Sequence, residues 1–183
     1  MQLPVIYYGS NDPHVLARIL RAGSLACLYQ AGALRQISAG DTEILRMIYP
    51  AIRDQNWGTV RGTISGEQIE EHEDSFSIRY DCRYSEGDID YHSSVRIIGA
   101  KDNSLIFSMK GRALSSFQKN RVGLNILHPI RECAGRMCKV ITHDGREYGA
   151  EFPVDISPLQ PMKNIRSLSW TPGGDSHAFL ELS

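Results

Sequence analysis

From Ser75 the chain reads SFSIRYDCRY, and this alternation constrains the fold more than any other feature. Phe76, Ile78, Tyr80, Cys82 and Tyr84 share one parity, while Ser77, Arg79, Asp81 and Arg83 share the other. Successive side chains of a strand point to opposite faces, so such a segment buries one face and wets the other. The pattern recurs. Ile89, Tyr91, Ser93, Val95 and Ile97 follow the turn signal SEGD, and Leu105, Phe107 and Met109 follow KDNS at Lys101–Ser104. Val122, Leu124, Ile126 and His128 then alternate, and CKVITHDGREYGAEF reads as a hairpin. Asp144-Gly145 predicts a two-residue type I′ turn there, because both central residues need positive φ.

The first third is less regular. SLACLYQAGALRQISAG predicts two short strands around Ala31–Gly32. EILRMIYPAIRD carries Ile44, Met47, Ile48 and Ile52 at a spacing a helix would also give, but Pro50 would break a helix there, so a strand is expected. One helix is predicted in PHVLARILRAG, with Asp12 as N-cap, Pro13 in the first turn and Gly23 as the stop. Pro153, Pro158 and Pro161 predict an extended crossing, after which IRSLSW and SHAFLELS return to alternation. Ten to thirteen short strands with frequent turn signals define an all-β, antiparallel β-sandwich with few short helices. We expect one domain over 1–183. Alternation runs almost to Ser183, which suggests a longer natural protein or a shortened version of a longer gene.

Composition narrows the function classes. Lys+Arg 20 against Asp+Glu 21 gives a net charge of -1, without the basic excess expected of a nucleic-acid binder. No apolar run approaches the roughly 20 residues of a membrane helix, and no basic-then-apolar leader opens the chain. Four cysteines in 183 residues do not make a disulfide scaffold, and a cytoplasmic protein with free thiols is expected. No nucleophile elbow, HExxH or phosphate-binding glycine loop is present, and no cofactor or metal is called for.

Three clusters carry candidate chemistry. IRDQNWG joins Arg53, Asp54, Asn56 and Trp57 directly after an apolar strand. An indole face stacks on sugar C–H groups, and Arg and Asn bind hydroxyls. The competing reading is a corner in which Asp54 accepts turn N–H groups and Trp57 packs on the core. FQKNRVGLNILHP places Asn120 and Arg121 at the start of a strand and His128 at its end, where a core histidine competes with an acid–base role. In ECAGRMC, Cys133 and Cys138 lack the second pair a zinc site needs, which leaves structural thiols or a facultative disulfide. Asp88 and Asp90 share a parity but read as solvated surface.

The strings IRDQNWGT, SSFQKNRVGLNILHP, ECAGRMC and DISPLQPMKNIRSL together resemble the N-terminal portion of D-apionate lactonases, bacterial enzymes of apiose catabolism. The likeness runs from about Tyr7 to about Trp170. Members of that family are much longer. The resemblance implies a galactose-mutarotase-like sandwich of the supersandwich type, leading into a further domain, and an activity that hydrolyses a sugar-acid lactone. It therefore implies a carbohydrate or sugar-acid lactone as partner; Arg53, Asp54, Asn56, Trp57, Asn120, Arg121 and His128 lie inside the matching motifs as candidates for a site or for an interdomain contact, with Arg53, Asn56, Trp57, Asn120 and Arg121 the expected substrate-binding set.

Three readings follow: a sandwich domain related to a lactone hydrolase and not catalytic alone, a small complete lactonase or sugar epimerase, and a self-associating protein that pairs through an exposed strand edge. For the second, His128 with Asp54 or Glu132 is the acid–base pairing to test.

Overall fold

Alternating apolar residues become strands in almost every place the sequence marks them. The computed structural model describes residues 16–155, 160–173 and 176–182. Asp12, Pro13, Pro158 and Gly174 lie outside them. Among the described residues there are fourteen strands and a single helical turn.

The first sheet contains β1 (Arg18–Ala22), β2 (Leu25–Gln30), β3 (Ala33–Ala39), β4 (Thr42–Asp54), the short β5 (Thr59–Val60) and β10 (Lys119–Leu127). Its order is β1-β2-β3-β4-β10, with β5 also on β4. The second sheet is the meander β6 (Gly62–Glu71), β7 (Phe76–Glu86), β8 (Ile89–Gly99) and β9 (Leu105–Ala113). The one-turn helix α1 (Ile130–Cys133) then leads into a third sheet of β11 (Met137–Thr142), β12 (Glu147–Glu151), β13 (Ile165–Gly173) and β14 (Ser176–Glu181). Its order is β12-β11-β13-β14. All pairings are antiparallel, as the meander pattern predicts.

The expected face of β7 is the buried one: Phe76, Ile78, Tyr80, Cys82 and Tyr84 all lie in the core. They meet Leu20, Leu34, Ile37, Ile48 and Ile52 of the first sheet, and Val140, Leu168 and Trp170 of the third join the same cluster. The first two sheets approach closely at Gly32, where Tyr80 donates a hydrogen bond to the Gly32 carbonyl at 2.7 Å. A Cβ on Gly32 would lie 2.8 Å from both Ile64 and Tyr80, so only glycine fits there. Nearby, the Tyr29 hydroxyl donates to Glu67.

Pro50 lies within β4, opposite Leu124 of β10. It falls between the stretch of β4 that pairs with β3, which ends at Ile48, and the stretch that pairs with β5, which begins at Ile52. In that gap a missing N–H costs no ladder bond to either of those strands.

Two local expectations are corrected. The helix predicted from PHVLARILRAG is not formed over its described part: Arg18–Ala22 is strand β1, paired with β2 at all five positions. Leu16, Ile19 and Leu20 have helical spacing, but pairing with β2 buries Leu20 and Ala22 and leaves Ile19 64% exposed. The turn at Asp144-Gly145 is not type I′. Gly145 alone has positive φ, Gly145 N–H donates to the Thr142 carbonyl and Thr142 N–H to the Arg146 carbonyl. This is a type I turn followed by a left-handed residue, and His143 joins the loop to lengthen it by one residue. The two-residue, doubly positive-φ loop occurs instead at Ala31-Gly32.

Candidate functional site: a cleft at one end of the sandwich

The β4–β5 connection has the same backbone as two other loops in the molecule. In each, residue i donates its N–H to the carbonyl of i+4, residue i+3 donates back to i, and i+3 is left-handed. That left-handed residue is Gly145 after β11 and Asn103 after β8, the residue types that tolerate positive φ. After β4 it is Trp57, at φ 69. A bulky residue there is strained. Its ring is 59% exposed, so burial does not compensate for the strain. The corner reading of Asp54 holds, since its Oδ1 accepts the N–H groups of Asn56 and Gly58, each at 2.7 Å. The packing reading of Trp57 does not. Instead the Arg121 guanidinium lies 5.7 Å from the centroid of its ring.

Register explains that meeting. Lys119 of β10 is opposite Asp54, and Arg121 is opposite Arg53, with a bulge at Asn120 between them. Arg53, Asp54, Asn56, Trp57, Asn120 and Arg121 therefore gather at one end of the sandwich. Beside them opens a cleft of about 610 Å³ between the β4–β5 turn, the β7–β8 turn and the β9–β10 loop. Asp54, Gln55, Asn56, Glu86, Asp88 and Gln118 supply its polar lining, and Val60, Ile89 and Phe117 its apolar lining. The loop after β9 is clamped by Ser115, whose hydroxyl donates to the Asp88 carbonyl at 2.7 Å and accepts from Asp90 N–H at 3.0 Å. The Asp90 carboxylate has a basic partner. It is bound in fork fashion by Arg83 at 3.0 and 2.8 Å, which holds its carboxyl below the usual carboxylate range. Ser116, Phe117 and Gln118 fall within the FQKNRVGLNILHP stretch or next to it, but nothing in the sequence pairs them with Glu86, because these walls come together only when three separate turns reach the same end.

His128 and Glu132 lie elsewhere. Leu127 is opposite Met47, seven residues along β4 from Asp54, so His128 is roughly 20 Å or more from Asp54 at strand rise. The His128–Asp54 pairing is therefore not formed, because the two residues follow opposite ends of paired strands. The His128 ring packs against both Phe152 and Trp170, with centroids at 5.0 Å from each, and those two rings also meet edge-on at 6.0 Å. Burial pushes its pKa down to about 4. Cys133 Sγ is 3.9 Å from His128 Nδ1, and burial pushes the Cys133 thiol up to about 11. A neutral imidazole beside an un-ionised thiol is the reverse of an activated nucleophile pair. Glu132 follows on α1. Its Oε2 is buried without a hydrogen-bond partner among the described residues, as is Oε1 of Glu43, whose carboxyl is raised by burial and by Glu132.

All four cysteines are free and buried. Cys138 Sγ donates to the Ala150 carbonyl at 3.4 Å. Among the described residues no three His, Cys, Asp or Glu side chains converge on a metal position, and no helix is long and apolar enough to cross a membrane.

Fold and cleft define an antiparallel β-sandwich domain that carries a recess with a largely polar lining at one end. The chain belongs to the D-apionate lactonase N-terminal domain family, whose model matches residues 5–183. It is similar to a D-apionate lactonase of Brucella anthropi, with 30% identity over 167 residues. That match covers 91% of this chain and 27% of the relative, so the chain spans about a quarter of that relative's length. No solved structure matches it.

Proposed function

We propose that this chain is the sugar-recognising sandwich of a lactone hydrolase, galactose-mutarotase-like in architecture, and that it does not hydrolyse lactones by itself. It binds a sugar-acid lactone or a related polyhydroxylated ring in the end cleft, with the Trp57 face as a stacking surface. The observation that carries this reading is Trp57: a strained, exposed indole braced by Arg121 beside a recess lined with amide and carboxylate groups. Asn56 lines the cleft, and Arg53, Asn120 and Arg121, at the same end of β4 and β10, are assigned to the ring hydroxyls in this reading. The relative's name supplies the ligand class. The non-catalytic assignment is part of the same reading. It is supported by His128, the candidate base, which packs against Phe152 and Trp170 at the far end from Asp54, where its lowered pKa makes it a weak base. Four free, buried thiols suit a reducing, cytoplasmic setting.

Titration of the purified chain with sugar-acid lactones, followed by tryptophan fluorescence, tests the proposal. The chain has two tryptophans, and Trp170 is buried, so a ligand at the cleft perturbs Trp57. Saturable quenching that disappears in Trp57→Gly is the expected result. Quenching that survives in that variant would refute the site, and release of acid from the lactone at enzyme-like rates would refute the non-catalytic assignment.

A further inference from the structure

Among the described residues, and leaving aside the two-residue β5, five of the six sheet edges carry two or more like-charged side chains that guard against edge-to-edge pairing. Arg18 and Arg21 lie on β1, Lys119 and Arg121 on β10, Glu70 and Glu71 on β6, Lys110 and Arg112 on β9, and Glu147 and Glu151 on β12. The sixth, β14, reads SHAFLE: Glu181 is its one acidic residue, it has no lysine or arginine, and the exposed Phe179 sits near its middle. Among the described residues β14 pairs with β13 alone.

The backbone of β14 fixes how its free side can pair. Leu182 N–H donates to the Arg166 carbonyl at 2.7 Å. Leu180 opposite Leu168 and Ala178 opposite Trp170 continue that parity. In an antiparallel ladder alternate residues turn both backbone groups to the same neighbour. His177, Phe179 and Glu181 therefore turn their N–H and C=O groups to the open edge. Their side chains share the solvent face, and Phe179 is 67% exposed.

We propose that β14 pairs antiparallel with β14 of a second copy, about a two-fold axis at Phe179. Antiparallel pairing requires edge-facing residues opposite edge-facing residues, so odd positions meet odd positions. Of those registers, the one centred on Phe179 uses the whole exposed strand. It sets Phe179 against its own copy and His177 against Glu181 of the second copy, twice. The two chains thus match in hydrogen bonding, in an aromatic pair and in polar complementarity, and their third sheets merge into one eight-stranded sheet. Thr171 Oγ1, 3.2 Å from His177 Nδ1, helps to fix the imidazole beside that seam. A six-residue seam is small, so the dimer is a weak, concentration-dependent one.

Sedimentation equilibrium of the full chain at increasing concentration tests this. A monomer–dimer equilibrium is expected. Phe179→Lys places two cations face to face on the axis and weakens dimerisation by about tenfold or more. His177→Glu opposes carboxylates at both ends of the seam and weakens it similarly, and adding Glu181→Lys to His177→Glu restores it. All three positions point outward, so thermal unfolding of the variants matches the wild type. If Phe179→Lys fails to fold, the charge-swap pair carries the test. A strictly monomeric chain overturns the proposal, as does a dimer indifferent to these substitutions or a double variant that fails to recover.

Discussion

The Arg121 guanidinium lies 5.7 Å from the centroid of the Trp57 ring, and this pair ties the start of β10 to the turn that ends β4. The strand register alone would bring Arg121 only opposite Arg53. The left-handed backbone at Trp57 turns the indole outward beneath the guanidinium, so the strain and the stack belong to one arrangement.

Replacing Trp57 by glycine separates the two contributions. Glycine adopts φ 69 without penalty, which returns about 1–2 kcal/mol of strain. Loss of an exposed cation–π contact costs about 0.5–1 kcal/mol. The two nearly offset, so Trp57→Gly unfolds at the same temperature as the wild type or slightly higher, as differential scanning calorimetry would show. Lactone binding is lost in the same variant. A large destabilisation would mean that the indole is a packing residue and not a recognition surface.

Tyr80 tests the sheet-to-sheet contact. Its hydroxyl donates to the Gly32 carbonyl at 2.7 Å inside the core. Tyr80→Phe keeps the ring and leaves that carbonyl unpaired, a loss of about 1–2 kcal/mol. The expected readout is a lower urea midpoint with an unchanged slope. Gly32→Ala costs more, since its Cβ would press on both Ile64 and Tyr80 at a φ of 78.

The sequence exposed the sandwich because its strands are half-buried, and half-burial imprints period 2. On β7 the parity predicts every core residue from Phe76 to Tyr84. It failed at Arg18–Ala22, where three apolar residues also fit a helix and only pairing with β2 decides between them. The candidate site divides in the same way. IRDQNWG and the start of β10 stand out as polar clusters after apolar strands, and the register unites them. The walls made by Glu86, Asp88 and Gln118 come from turns far apart in the chain, and no local signal ties them to Asp54. The distance from His128 to Asp54 likewise depends on register, which parity does not reveal.

Glu43 supplies a stability term that falls as pH rises. Burial, aided by Glu132, raises its carboxyl above 4.5, although Arg46 at 2.7 Å pulls the other way. An acid whose pKa is raised on folding binds its proton more tightly in the native state. Its contribution is fully present below the unfolded value near 4.5 and is lost as pH climbs through the folded value. Glu43→Gln removes the slope, so the stability of the variant relative to the wild type should increase from pH 4.5 towards pH 8. Denaturant titrations at several pH values check this. A difference that does not change with pH would place Glu43 in an ordinary solvated environment.

His128 acts in the opposite sense. Its ring is enclosed by Phe152 and Trp170, and burial lowers its pKa from 6.5 to about 4. The unfolded chain therefore takes up a proton that the native state refuses. Well above pH 6.5 neither state is charged and the term is constant. As pH falls from 6.5 towards 4 stability drains away, and below about 4 the loss is complete, at most about 3 kcal/mol. His128→Gln removes this acid sensitivity while also losing the ring contacts, so its stability is lower at pH 8 and converges on the wild type near pH 4. NMR titration of the His128 ring gives the direct measurement, with its resonances unchanged down to about pH 5. A midpoint near 6.5 would mean that the imidazole is reached by water, and would reopen an acid–base role at this end of the sandwich.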